Sequence, residues 1–136
     1  MRAVLDPNVL ISGALSSRGA PADVLRAFEA GEFELIASAS LIDELARALA
    51  YPKLRRHIPE ADAAELLRWV ADAATLVIDP QTDPPVRSRD PDDDYLVALA
   101  SAHRAALVSG DKHLLALEQQ IPVFTPRAFL TLLAGA

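Results

Sequence analysis

At 136 residues, 51% of them hydrophobic, with no cysteine and a net charge of −6, the chain has the size and apolar content of one domain, residues 1–136, with its own core. The lack of cysteine excludes disulfides and thiolate zinc, and three scattered histidines without a His-x-x-x-His pair argue against imidazole-held zinc, so any metal is expected to have oxygen ligands. No apolar run approaches the roughly 20 residues of a membrane span and no cleavable leader pattern opens the chain, so a cytoplasmic protein without membrane contact is expected.

Taken in order, the chain alternates short apolar runs with helical patterns. Arg2 to Leu5 reads as a buried strand that stops at Asp6-Pro7-Asn8. A carboxylate at that point lies at the carboxyl edge of a parallel sheet, although Asp6 also suits an Asx-type turn into the next helix. Val9 to Leu15 and a second helix opened by Pro21, with Gly31 as its C-terminal cap, follow. Phe33 to Ala37 is the next strand. Ser40, with Asp43 three residues on, then predicts the N-cap of a helix that stops at Pro52. Its apolar stripe, Leu41, Ile42, Leu45, Ala48 and Leu49, should face the sheet. Glu44 flanks that stripe and can reach over the sheet edge or pair with Arg47 at i,i+3.

Lys53 to Arg56 forms the one dense basic cluster and reads as a solvated helix end or as part of a basic rim. Pro59 to Ala74 is an amphipathic helix, in which Trp69 is expected to pack into the core. Thr75 to Ile78 is a strand, and the proline-bearing stretch Asp79 to Asp90 is irregular. Asp90-Pro91-Asp92-Asp93-Asp94 then opens a helix that is apolar nearly all round. Asp90 as N-cap, with Asp92 and Asp93 in the first turn, accounts for three of these acids through helix-end electrostatics. It leaves Asp94 as the expected ligand and Asp93 in reserve. Ala105 to Val108 is a strand ending in Ser109-Gly110-Asp111 before a helix from Lys112 to Glu118, so Asp111 is either a site acid or an N-cap. Ile121 to Phe124 and a helix entered through Thr125-Pro126 complete the chain.

This alternation predicts an α/β fold: a three-layer α/β/α domain with a central parallel sheet of about five strands and a site at the strand carboxyl ends. Asp6, Glu44, Asp94 and Asp111 are each placed near that edge. Carboxylates about 4 Å apart repel by about 4 kcal/mol at an effective dielectric of 20, so such a cluster calls for protons or a divalent cation. All-oxygen ligands select Mg2+ or Mn2+. The fitting reaction is hydrolysis of a phosphodiester by metal-activated water. The negative net charge speaks against a broad nucleic-acid-coating surface but not against a nuclease with a local basic rim.

The ordered set Asp6-Pro7-Asn8-Val9-Leu10-Ile11-Ser12, Ser38 to Leu45 with Glu44, Asp90 to Ala100 with Asp94, and Val108-Ser109-Gly110-Asp111-Lys112 resembles PIN domains, in particular the VapC-like toxin ribonucleases of toxin-antitoxin pairs. The resemblance implies an Mg2+- or Mn2+-dependent endoribonuclease with RNA as substrate. It places Asp6, Glu44, Asp94 and Asp111 in the acidic positions, with Asn8 and Ser109 supporting them. It also implies a homodimer silenced by a small antitoxin protein. His113 and Leu114 stand where many members carry a further acid, a departure that bears on a second metal site. Two other readings compete: a PIN-like module that binds RNA or protein without cleaving, and a receiver-type phosphoacceptor domain, in which Asp79 rather than Asp94 would face the ion.

Overall fold

The computed structural model describes residues 1–135. Five parallel strands, β1 (Arg2–Leu5), β2 (Glu34–Ala37), β3 (Thr75–Leu76), β4 (Ala106–Val108) and β5 (Val123–Phe124), form one sheet in the order β3-β2-β1-β4-β5. Around it lie α1 (Pro7–Leu15), α2 (Ala20–Glu29), α3 (Ala39–Leu49), α4 (Pro52–Arg55), α5 (Glu60–Ala73), α6 (Asp94–Ala102), α7 (Lys112–Leu115) and α8 (Pro126–Ala134). The expected α/β/α architecture with a five-stranded parallel sheet is the one observed.

The central strands are apolar because both sheet faces are covered. Ala3, Val4 and Leu5 in β1 and Leu107 and Val108 in β4 have no solvent exposure. β3 is the opposite case: both of its residues are exposed, as befits an edge strand. The core closes around aromatic rings. Phe129 of α8 meets Phe33 edge-on with centroids 5.1 Å apart, and Trp69 of α5 meets Phe28 of α2 at 5.7 Å, in the packing role expected of it.

Several boundaries differ from the sequence reading. The N-cap of α3 is Ser38, whose side chain accepts from the Leu41 amide, and not Ser40. Ser40 lies inside the first turn and turns its hydroxyl to Asp79. The helix does end before Pro52, with Ala50 as its C-cap, and Pro52 then starts the short α4, since a first helical turn tolerates a residue without N–H. Gly31 has φ +79°, a left-handed conformation that suits glycine after a helix.

The order β3-β2-β1-β4-β5 reverses direction between β1 and β4, and at such a switch point the loops leave the sheet on opposite sides and open a crevice. Leu5 pairs with Val108 in register. The next residues in the two strands, Asp6 and Ser109, are therefore side by side at the carboxyl edge.

Because Phe129 is fully buried against Phe33, Phe129→Ala should cost about 3–5 kcal/mol. Urea denaturation checks this; a change below about 1 kcal/mol would mean that α8 does not close the core.

Candidate active site at the carboxyl edge of the sheet

Asp6 is 4% exposed and Ser109 fully buried. The Ser109 hydroxyl donates to Asp6 Oδ2 at 2.7 Å and the Asn8 amide donates to Oδ1 at 3.0 Å. Asp6 is thus both N-cap of α1 and the buried floor of the crevice, so the two readings of this residue hold together. Burial pushes its carboxyl above the ordinary range. The Asn8 and Ser109 hydrogen bonds work against that rise, and the nearby charge of Asp111 adds to it. Asn8 acts through its backbone, since its side chain is exposed.

Asp111 enters from the loop after β4. Its Oδ1 accepts from the His113 amide at 2.7 Å, and its own amide donates to Ser109 Oγ at 2.9 Å. The N-cap reading of Asp111 therefore also holds. One serine links the two acids.

The third acid reverses the expectation. Asp94 is turned away from the crevice: Oδ1 accepts from the Ser88 amide at 2.8 Å, and Oδ2 pairs with Arg87 at 3.2 Å. Asp93 is the residue that faces Asp6 and Asp111. Its carboxyl is pushed up to about 7 by burial, then by the charges of Asp111, Asp6 and Asp90, and by a hydrogen bond shared with Asp111 that favours the protonated form. Its Oδ2 is buried and has no partner. The helical pattern carried a signal for this choice. Three, four and seven residues beyond Asp93 come Leu96, Val97 and Ala100, all buried, whereas the residue seven beyond Asp94 is the exposed Ser101.

Glu44 likewise follows its local alternative, pairing with Arg47 at 2.7 Å on the rim. With Glu44 and Asp94 so engaged, the four acids expected to converge do not. Among the described residues, no three His, Asp or Glu side chains are grouped closely enough to hold an ion as they stand. The coupled set is Asp6, Asp93 and Asp111. Each carboxylate oxygen has more than one acceptor position, so the hydrogen bonds to Asp6 and Asp111 leave lone pairs free. Together with the orphaned Asp93 oxygen, this donor set suits a hard divalent cation.

Tyr95 was not anticipated, and Asp79 was expected at the ion only in the receiver-type reading. Tyr95 has a buried hydroxyl without a partner, and its phenol is held protonated by burial and by the surrounding charges of Asp6, Glu44, Asp93 and Asp79. Asp79 accepts from the Ser40 amide at 3.0 Å and the Ser40 hydroxyl at 2.8 Å, tying the proline-rich segment to the start of α3. Burial would raise its carboxyl, but hydrogen bonds from Ser38 and Ser40 bring it below the ordinary range. A carboxylate so occupied does not serve the receiver-type reading, which needs Asp79 free at the ion.

A family model for the PIN domain matches residues 2–113. The chain belongs to the PIN-domain family. Membership brings a nuclease-type fold to the crevice, with the matched residues taking in Asp6, Glu44, Asp93, Asp94 and Asp111. The chain is 25% identical to the uncharacterized protein MJ1680 of Methanocaldococcus jannaschii over 140 aligned positions, covering 96% of this chain and 90% of that protein. The crystal structure of PAE2754 from Pyrobaculum aerophilum superposes with a TM-score of 0.69 at 20% identity, over all of this chain and 91% of the other. That likeness shows a shared fold. Among the described residues no helix is long and apolar enough to cross a membrane.

Asp93 gives the site a pH signature. Unfolded, it ionises near 3.8; folded, it keeps its proton to about 7. Between those values the folded state binds more protons, so this group's contribution to stability falls as pH rises through that window. In EDTA, Asp93→Asn should melt higher than the native protein at pH 8, with the gap closing toward pH 4. A gap independent of pH would mean that Asp93 is not strained in this way.

Proposed function

We propose that this PIN domain is an Mg2+- or Mn2+-dependent endoribonuclease, with Asp6, Asp93 and Asp111 as the principal ligands and Glu44 joining them from the rim. The observation that carries the reading is the electrostatic coupling of Asp93 to Asp6 and Asp111 around a buried oxygen without a partner. When bound, the cation supplies Lewis acidity to the phosphodiester and to the attacking water. Ser109 and the Asn8 amide hold Asp6 in a fixed orientation, and Ser109 fixes the loop carrying Asp111. The proton that Asp93 retains near neutrality must leave for the site to load, so metal affinity rises with pH across that range. The Tyr95 hydroxyl is buried without a partner and can hold a water or a phosphoryl oxygen.

Within the family, we assign the chain to the VapC-like toxins: a homodimer whose activity a small antitoxin restrains. The resemblance of its motifs supports that assignment. The second reading, a binding module without activity, is favoured by the pairing of Glu44 with Arg47 and the open grouping of the acids.

Cleavage of RNA by the purified chain in EDTA, Mg2+ and Mn2+ separates the two. Asp6→Asn and Asp93→Asn should each lower the Mn2+-dependent rate by roughly 100-fold or more, a loss at least as large as that seen on mutating residues that only support metal ligands. Asp94→Asn should lower it by less than about tenfold, because it weakens only the Arg87 clamp. Cleavage that persists in EDTA or in Asp6→Asn contradicts the proposal, and absence of cleavage with either metal favours the binding module.

A further inference from the structure

A second cleft lies beside the acids, at Tyr95, whose phenol feels the charges of Asp6, Glu44 and Asp93. A cavity of about 400 Å³ is lined by Ser40, Arg47, Tyr51 and Tyr95 and by three acids, Asp43, Glu44 and Asp92. Glu44 and Tyr95 belong to the surroundings of the acids, whereas Arg47 and Tyr51 lie farther along and just beyond α3. Tyr51 also lines an adjoining depression of about 760 Å³, shared with Lys53 and Arg56. The two hollows therefore meet at one ring. They join the acids to the dense basic cluster of the sequence.

Three features of this path point the same way. Tyr51 is 60% exposed and is the one aromatic among the large apolar side chains left open to solvent in the described residues. Lys53 and Arg56 have no carboxylate partner among the described residues, while Arg55 is drawn to Glu60 at 3.9 Å. In a chain of net charge −6, two unneutralised cations beside an exposed ring in the outer depression form a local attraction for a polyanion, set apart from the carboxylates of the inner cleft. Exposed aromatic faces flanked by cations are the recurring means of holding an unpaired strand, because every base can stack and every nucleotide brings a phosphate.

We infer that the surface running from Arg47 across Tyr51 to Lys53 and Arg56 is the track that holds single-stranded RNA beside the scissile bond. Tyr51 stacks on a base, and Lys53 and Arg56 meet the phosphates beyond it. Glu44 and the end of α3 at Leu49 are already about 7 Å apart along the helix and Tyr51 lies beyond that end, so Tyr51 grips a nucleotide next to the cut and not the reacting phosphate itself. Arg47 bridges the two regions: it neutralises Glu44 now and can turn to an incoming phosphate. This inference rests on the proposed nuclease reading for its substrate but not for its test.

The test is binding without cleavage. Fluorescence anisotropy of the full chain with a short fluorescein-labelled single-stranded RNA, in EDTA, reads the track directly. Tyr51→Ala should weaken binding about tenfold, and Tyr51→Phe should leave it essentially unchanged. The double variant Lys53→Ala with Arg56→Ala should lower the slope of log affinity against log salt by about 1.4, the value for two phosphate contacts on a single strand. All of these side chains are exposed, so thermal melting should not move. Unchanged affinity in both the Tyr51→Ala and the double variant overturns the inference. So does an altered sedimentation coefficient in Tyr51→Ala with RNA affinity intact, which would assign this face to a second copy of the chain. A protein that binds through Tyr51 but cuts nothing leaves the track standing and removes the nuclease reading; one that cuts but ignores Tyr51 does the reverse.

Discussion

The hydrogen bond from the Ser109 hydroxyl to the buried Asp6 carboxylate joins the two strands at which the sheet reverses direction, and the geometry of the site follows from it. The parallel register pairing Leu5 with Val108 leaves these two residues no choice but to be neighbours. Burying a carboxylate is costly unless donors compensate, and here the compensation comes from one hydroxyl and one helix-start amide. The same serine accepts the Asp111 amide. Fold and electrostatics are thereby coupled: the interaction that keeps Asp6 tolerable in the core also brings a second acid toward it.

The third acid is positioned by its neighbour. Asp94 binds the Ser88 amide and Arg87, which also reaches Asp83, so the proline-rich segment is folded back against the start of α6. At its other end that segment is held by Asp79 on Ser40. A segment without regular structure is in this way fixed at both ends by carboxylates. Between them, the short 3-10 turn Pro91–Asp93 delivers Asp93 to the crevice. The acids outside the pocket thus act on the acids inside it by setting backbone position.

Much of this was legible in the sequence. The alternation of short apolar runs with amphipathic stretches carries the parallel sheet, and each strand that ends in a polar cluster marks its carboxyl edge. Asp6, Ser109 and Asp111 could be placed because a strand end has a fixed position relative to the sheet. Asp93 and Asp94 were harder to tell apart. A 3-10 turn advances by about 120° per residue in place of about 100°, and the capping chemistry of Asp90 explains Asp93 just as cheaply as site chemistry does. The competition between Arg47 and the crevice for Glu44 is decided by side-chain geometry that spacing does not encode. The same holds for Tyr51 and the Lys53 to Arg56 cluster, whose adjacency to the acids arises only when α4 turns at Pro52. Ser38 replaced Ser40 as the cap because Asp79, distant in sequence, claims the Ser40 hydroxyl.

Asp6, Asp93 and Asp111 carry more negative charge than the crevice tolerates, a proton on the Asp93 carboxyl relieves it, and on the proposed reading a divalent cation would take that proton's place. Titration calorimetry of the intact chain with Mn2+ near neutral pH, repeated in buffers of different ionisation enthalpy, measures both halves of that exchange. Saturable binding with net proton release that disappears in Asp93→Asn is the predicted result. Binding with no proton released, or no binding heat in any buffer, would contradict it.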